Sequence, residues 1–386
     1  MAAALFALLL AAPAEPVKQD IFLWDAKHNH ASSIVELPNG DLLACWYRGS
    51  GERTADDVQI LGARRKKGAA AWSAPFLLAD QPGFPDTNPV LWVDRQQRLW
   101  LFWQTIVANQ WETAITNYRV TANWRGEGAP AWDRGDILLL KPLRLAERTE
   151  AFARTLPSEL QAKYEPYLAR AKDKYFSRMG WMTRAHPYQL PSGRILVPLY
   201  SDGYDFSLAA LSDDGGLTWR ASEPIVGAGN VQPSFALRKD GTLLAFMRDN
   251  GPPPKRVLAA ESKDEGETWS FAYDLEIANS GTGLEVQILR DGRWLLINND
   301  TETGRWRLTL SLSDDEGRSW KWARALEADE RAEGARSSFH YPSIIQGADG
   351  MIHATYSVFL NHLKEGEPRK TIRYARFSPD WVSAPR

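Results

Sequence analysis

Six times along the chain an alternating apolar segment runs into a polar turn, most often with Gly, and out into a second apolar segment. The units are Ser33–Leu43, Pro89–Leu101, Tyr188–Leu196, Ser234–Leu244, Val286–Trp294 and Ser343–Ile352. Alternation of this kind turns one face of a strand inward and the other outward, and the turn residues close a hairpin. Six hairpins of similar build predict an all-β, six-bladed β-propeller. The residues that begin the innermost strand of each blade are then His30 or Ala31, Asn88, Arg184, Gln232, Gly283 and Tyr341. Repeat geometry places them in a ring around the central opening.

Units two and three lie too far apart for a simple blade-to-blade connection. The excess is centred on 141–178. There Leu145, Phe152, Leu156, Leu160, Tyr164 and Leu168 recur near helical spacing, and Pro157-Ser158-Glu159 reads as a helix start. The pattern predicts a helical insertion in blade two, over one side of the opening. Asp20–Trp24 and Thr371–Phe377 are both strand-like. If they share a blade, the two ends of the chain close the ring and remove its exposed edge.

A second pattern is sharper. Ser212-x-Asp214-x-Gly216-x-Thr218-Trp219 recurs as Ser262-x-Asp264-x-Gly266-x-Thr268-Trp269 and as Ser313-x-Asp315-x-Gly317-x-Ser319-Trp320. The Asp caps a turn, the Gly takes positive φ, and the Trp packs inward, which makes a stable hairpin corner. The spacing of about fifty residues is that of a repeat array. These segments resemble the Asp boxes, or BNR repeats, of the sialidase-type β-propellers, and the resemblance covers nearly the whole chain.

Composition narrows the picture further. The chain has 386 residues, with 17 Trp and one Cys. Many Trp suit repeated Trp corners or a sugar-binding cleft. Lys and Arg number 46 against 48 Asp and Glu, so no basic surplus argues for nucleic acid. Cys45 alone forms no internal disulfide. No Gly-rich phosphate loop and no Cys/His metal spacing is found, so no cofactor and no metal are expected. Residues 1–14 form a short apolar run ending in Ala12-Pro13-Ala14, too short to span a bilayer, and read as a signal peptide. The expected location is periplasmic or secreted, and residues 15–386 form the propeller domain. The expected partner is a glycan or oligosaccharide.

The resemblance implies roles for particular residues. Sialidases grip a substrate carboxylate with three arginines, because a guanidinium fork matches a carboxylate. Arg248 and Arg305 resemble the second and third, with Arg256 a further candidate. Arg184 and Gln232 join the substrate-binding set as ring residues. Tyr341 resembles the nucleophilic tyrosine that sets sialidases apart among glycosidases, and His340 beside it is a candidate proton shuttle. The acid/base Asp of the family lies in the first-blade loop. Asp57 is the first choice there, before Asp56 and Glu52, on the expectation that a rim carboxylate gains a raised pKa when substrate covers it.

The chain departs from the family in two places. His30 stands where sialidases carry the first arginine. Gln232 stands where they carry the glutamate that takes the tyrosine proton, and an amide cannot take it. Glu285, two positions along from the ring, is a candidate replacement. The implied activity is that of an exported exo-glycoside hydrolase on a terminal acidic sugar, with the site rebuilt around these changes. His30 and His186, with Tyr341 and the arginines, also suit a polysaccharide lyase acting on a uronic acid. A non-catalytic glycan-binding propeller is the third reading, since fold does not imply function.

Overall fold

The computed structural model describes residues 14–385. The expected leader therefore lies outside the described residues, Ala14 apart. Six antiparallel sheets follow one another in chain order, with their first strands side by side around the centre. Blade one is His28–Glu36, Leu42–Gly49, Gln59–Arg65 and Phe76–Ala79. Blade two is Asp86–Val93, Leu99–Ile106, Ala114–Thr121 and Arg134–Ile137. In blade three the inner strand is split into Met182–Thr183 and Tyr188–Gln189, both paired with Ile195–Ser201, and Phe206–Ser212 and Arg220–Ala221 follow. Blade four is Asn230–Leu237, Leu243–Asp249, Arg256–Ser262 and Tyr273–Ala278. Blade five is Glu285–Ile288, Trp294–Asn298, Arg307–Ser313 and Trp322–Ala328. Blade six is Ser338–Gln346, Ile352–Phe359 and Lys370–Phe377, completed by Val17–Asp20 from the other end of the chain.

Closure thus joins the two ends as expected, a few residues earlier than the alternation suggested. Asp20 pairs with Arg373, and the chain beyond it continues alongside through Ile21 N–H to Ile372 O at 2.9 Å. The insertion is helical, with helices at Leu145–Ala153, Ser158–Gln161, Glu165–Lys172 and Lys174–Arg178. It follows the outer strand of blade two and precedes blade three, so it lies between blades and not inside blade two. Phe152 packs edge-on against Phe271 of blade four and Tyr167 against Phe206 of blade three, which turns the apolar stripe of the helices onto those two blades.

The three Ser-x-Asp repeats end the third strands of blades three, four and five. In the second, Asp264 accepts from Thr268 N–H at 2.9 Å, from Thr268 Oγ1 at 2.5 Å and from Ser262 Oγ at 2.8 Å. Each repeat also receives the blade before it. Arg98 donates to Gly215 O at 2.9 Å, Arg194 to Glu265 O at 3.2 Å and Arg238 to Glu316 O at 3.2 Å. Side chains follow the same direction. Trp219 packs on Trp100, Phe102 and Tyr118 of blade two, and Trp320 on Phe246 of blade four. The central Gly of the first two repeats lies flat on the preceding blade; a Cβ on Gly216 would come within 2.3 Å of Trp100 and one on Gly266 within 2.5 Å of Leu196.

Asp264→Ala removes these acceptors and should cost about 1 kcal/mol, since the turn is solvent-exposed and each net bond is modest. Burial alone would raise the Asp264 carboxyl, but its bonds to Thr268 and Ser262 hold it below the usual value. Its contribution is therefore present above the unfolded carboxylate pKa and is lost as pH falls through the folded one. Urea titrations of both proteins should show a gap at neutral pH that closes in acid.

Candidate active site

The inner strands are not regular where they meet the opening. Pairing slips between His30 and Ser33, Thr87 and Val90, Val231 and Ser234, and His340 and Ser343. At each slip a residue takes positive φ: Ala31 at 53°, Asn88 at 45°, Gln232 at 57° and Tyr341 at 45°. Such bulges re-aim side chains, and left-handed backbone outside Gly is costly enough to need support from its surroundings. Four of the ring positions read from the sequence are these bulged residues.

The ring converges on Tyr341. Its hydroxyl accepts from Arg248 Nη1 at 2.9 Å and from Gln232 Nε2 at 3.2 Å. His30 stacks on its ring, with centroids 4.5 Å apart and planes 17° apart. Arg184 lies 5.0 Å from the ring centroid and Arg305 5.5 Å. Gly283 is bare because the Tyr341 ring occupies the space; a Cβ there would sit 2.8 Å from Tyr341 Cδ1.

The cations differ in what they hold. Arg184 is 3% exposed and donates to Ser32 O at 3.3 Å, to Pro342 O at 3.0 Å and to Tyr341 O. It fixes the backbone beneath the bulges of blades one and six. Arg248 and Arg305 are freer, Arg305 bonding His340 Nδ1 at 2.6 Å. Among the described residues no carboxylate oxygen lies within 4.0 Å of Arg184, Arg248 or Arg305. Burial, and then Arg248 against the pull of Tyr341, lowers the pKa of Arg305. For Arg248 burial acts the same way, but Tyr341 and Asp202 more than offset it and the pKa rises.

Both ring histidines are neutral at physiological pH. Burial, and then the neighbouring His340, holds His30 well below its usual value. Burial and Arg305 do the same to His340. His340 accepts from Arg305 at Nδ1, so its Nε2 donates to Ser338 Oγ at 2.6 Å, and both nitrogens are engaged. His30 Nδ1 shares a hydrogen bond with Ser357 Oγ at 3.0 Å.

His186 and Glu285 lie one layer below. Glu285 is 3% exposed. One of its oxygens meets His186 Nδ1 at 2.7 Å and the His186 N–H at 2.8 Å, and the other accepts from Ile344 N–H at 2.8 Å. His186 Nε2 reaches Ile34 O at 2.9 Å. Burial works to raise the Glu285 carboxyl, but His186 and the two amides outweigh it and the pKa falls. Glu285 thus faces inward as the alternation suggested, yet it has no hydrogen bond to Tyr341 and binds the scaffold instead of standing in for the base.

The remaining candidates separate. Arg256 pairs with Glu302 and does not join the cluster. Asp57 is exposed and bonded to Lys27 at 2.9 Å and to Ser50 Oγ at 2.7 Å. Burial works to raise its carboxyl, but Ser50 and Lys27 together outweigh it and pull it down to about 2. Asp56 bonds Asn109 at 3.2 Å on the rim. Of the three loop carboxylates Glu52 comes nearest, accepting from Tyr47 Oη at 2.7 Å and meeting His28 at 2.9 Å, and Tyr47 touches His30 edge-on. A carboxylate absent from the sequence reading stands opposite. Asp202 follows the second strand of blade three and has no hydrogen-bond or ion-pair partner among the described residues. Burial pushes it up to about 6, with Arg248 opposing and Asp205 and Glu112 adding to the rise. Ser201-Asp202-Gly203 looks like any turn, so only its end-of-strand position marked it.

A six-bladed propeller whose opening gathers unpaired guanidinium groups on a tyrosine defines the class, and the chain belongs to the BNR repeat-like domain family, whose pattern matches residues 40–156 and 165–354. A sialidase of Micromonospora viridifaciens is 24% identical over 376 residues, covering 91% of this chain and 51% of that protein. An anhydrosialidase of Macrobdella decora is 23% identical over 188 residues, 44% of this chain and 24% of that protein. The chain thus spans about half the length of the first relative and about a quarter of the second. Among solved structures, the leech intramolecular trans-sialidase superposes with a TM-score of 0.69 at 15% identity, over 95% of this chain and 71% of that one. A protein of unknown function from Dyadobacter fermentans gives 0.70 at 16% identity, over 95% and 98%. At such identities the likeness establishes the fold.

Glu285→Ala strands His186 in a buried layer, and breaking a buried pair costs about 3–5 kcal/mol. Denaturant unfolding should show a loss of that order, well above the Asp264→Ala effect.

Proposed function

We propose that the chain is an exported sialidase-type glycoside hydrolase that removes a terminal acidic sugar from a glycan. The observation that carries this reading is the Tyr341 hydroxyl held by Arg248 and Gln232 beside guanidinium groups with no carboxylate partner. Half-buried cations without counter-ions favour an anionic ligand. Arg248 and Arg305 hold the sugar carboxylate. Tyr341 attacks the anomeric carbon as its phenol proton passes to solvent water, and Arg248 stabilises the negative charge that develops on the phenol oxygen. Asp202 protonates the departing glycosidic oxygen, a role its raised pKa suits better than that of Asp57. Water, giving a proton to the Asp202 carboxylate, then attacks the anomeric carbon, and the departing tyrosine oxygen regains its proton from solvent. Export rests on the apolar N-terminal run alone.

Purified protein is incubated with sialosides and uronic-acid-terminated oligosaccharides, and products are read by mass spectrometry. Release of an intact acidic sugar is expected; a product lighter by one water with new ultraviolet absorbance would replace this reading by the lyase, and no turnover would leave a binding propeller. Arg248→Ala removes a charged hydrogen bond worth about 1.5–3 kcal/mol, so kcat/KM should fall roughly 10- to 100-fold. Tyr341→Phe should lose more, and in kcat.

Two further outcomes follow from the site's chemistry. The acid must keep its proton, so the rate should fall as pH rises through about 6, and Asp202→Asn should remove that limb along with most of the activity. Gln232→Glu supplies a base 3.2 Å from the phenol oxygen in the wild-type geometry. It should raise kcat, by up to about 100-fold on the scale of general-base catalysis. An unchanged or lower kcat would argue against attack by Tyr341.

A further inference from the structure

Beside the central cluster, the helical insertion and blades three and four enclose a cavity of about 330 Å³. Tyr164 and Tyr167 line it with half-buried rings, with the buried Tyr204 and Phe206 behind them, and Asp205 and Asn250 line it with polar groups. Tyr204 is 1% exposed and its hydroxyl is buried without a partner. Asp205 is fixed by Asn250 Nδ2 at 2.8 Å and Tyr167 Oη at 3.4 Å, and the Asn250 oxygen has no protein donor among the described residues. The insertion is tied down around it, with Tyr164 Oη donating to Gly227 O at 3.2 Å and Arg170 Nη1 to Gly203 O at 2.5 Å. The cavity adjoins the central cluster. Asn250 lies two residues past Arg248, Asp205 three past Asp202, and the Arg248 charge acts on the Asp205 carboxyl.

We infer that this cavity binds a neutral sugar residue of the glycan, the unit next to the acidic sugar held at Tyr341. The leaving-group role rests on the function proposed above; sugar binding by the cavity does not. Tyrosine rings offer flat apolar faces to the C–H faces of a pyranose while their hydroxyls stay polar. A fixed carboxylate and an amide oxygen accept from ring hydroxyls. Lys163 at the edge balances Asp205, so the lining selects no net charge. The volume lies at the small end of the roughly 300–1,000 Å³ of ligand sites, room for one or two rings. The central cluster would then choose the terminal sugar by charge, and the insertion would choose its neighbour by shape.

Saturation-transfer NMR with lactose on the full chain reads this directly. Transfer is expected with the wild type and lost in Ala228→Trp, which fills the cavity from an exposed position. Thermal melting confirms that this variant is folded. Tyr167→Ala should weaken transfer several-fold. Absence of transfer with the wild type overturns the inference, as does equal transfer with Ala228→Trp. Lactose transfer without release of any acidic sugar keeps the cavity and removes the hydrolase; release from an aryl glycoside without lactose transfer does the opposite.

Discussion

Inner strands of neighbouring blades share no ladder, so the amides they turn toward one another must be satisfied by side chains. One layer of residues does this. Ser33 accepts from Leu91 N–H at 3.1 Å, Ser234 from Val286 N–H at 3.0 Å, Glu285 from Ile344 N–H at 2.8 Å and Ser343 from Ile34 N–H at 3.3 Å. Each acceptor stands two positions past its ring residue, and each donor is on the next blade. Arg184 sits above this layer and collects the carbonyls that the bulges of blades one and six turn inward. The position of Tyr341 depends on all of it. Its left-handed backbone is held by Arg184, its ring by His30 and Gly283, and its strand by Ser343 and Glu285.

The insertion extends this order outward. Arg170 and Tyr167 grip the 202–205 loop of blade three, the loop that carries Asp202 to the edge of the opening. A propeller loop of four residues between two strands has little packing of its own. Here it is clamped between helices on one side and Asn250 of blade four on the other. The same helices therefore build the cavity wall and hold a titratable carboxylate against Arg248.

Strand alternation, Gly-bearing turns and three copies of one corner made the scaffold legible, because those signals are local and repeat. Ring positions were legible for the same reason, since a strand start is fixed by its turn. What the bulges do to them was not, because positive φ at Gln232 and Tyr341 is imposed by neighbours far away in the chain. Choosing Asp57 over Glu52 failed to anticipate the loop path, which turns Glu52 toward Tyr47 and leaves Asp57 to Lys27 and Ser50. Asp202 carried no pattern; its environment comes from Arg248, Glu112 and Arg53 on three other blades. Glu285 was placed on the correct face of its strand but one layer too high, because alternation gives a side chain's direction and not its depth.

The two departures from the sialidase pattern belong together. In place of an arginine the ring has His30, which burial keeps neutral, and in place of a glutamate it has Gln232, which carries no charge. One removes a positive charge and the other a negative one, so their sum is that of the family's arrangement. They also flank one group: His30 stacks on the face of Tyr341 and Gln232 meets its hydroxyl. A glutamate kept at 232 beside only two free arginines would neutralise half of the positive charge gathered at Tyr341. A neutral amide leaves Arg248 and Arg305 fully available and keeps the phenol hydrogen-bonded. The cost falls on proton removal from Tyr341. Under the function proposed above, the ring would keep its grip on an anion and lack the family's base, a trade that would set binding and turnover apart in this chain.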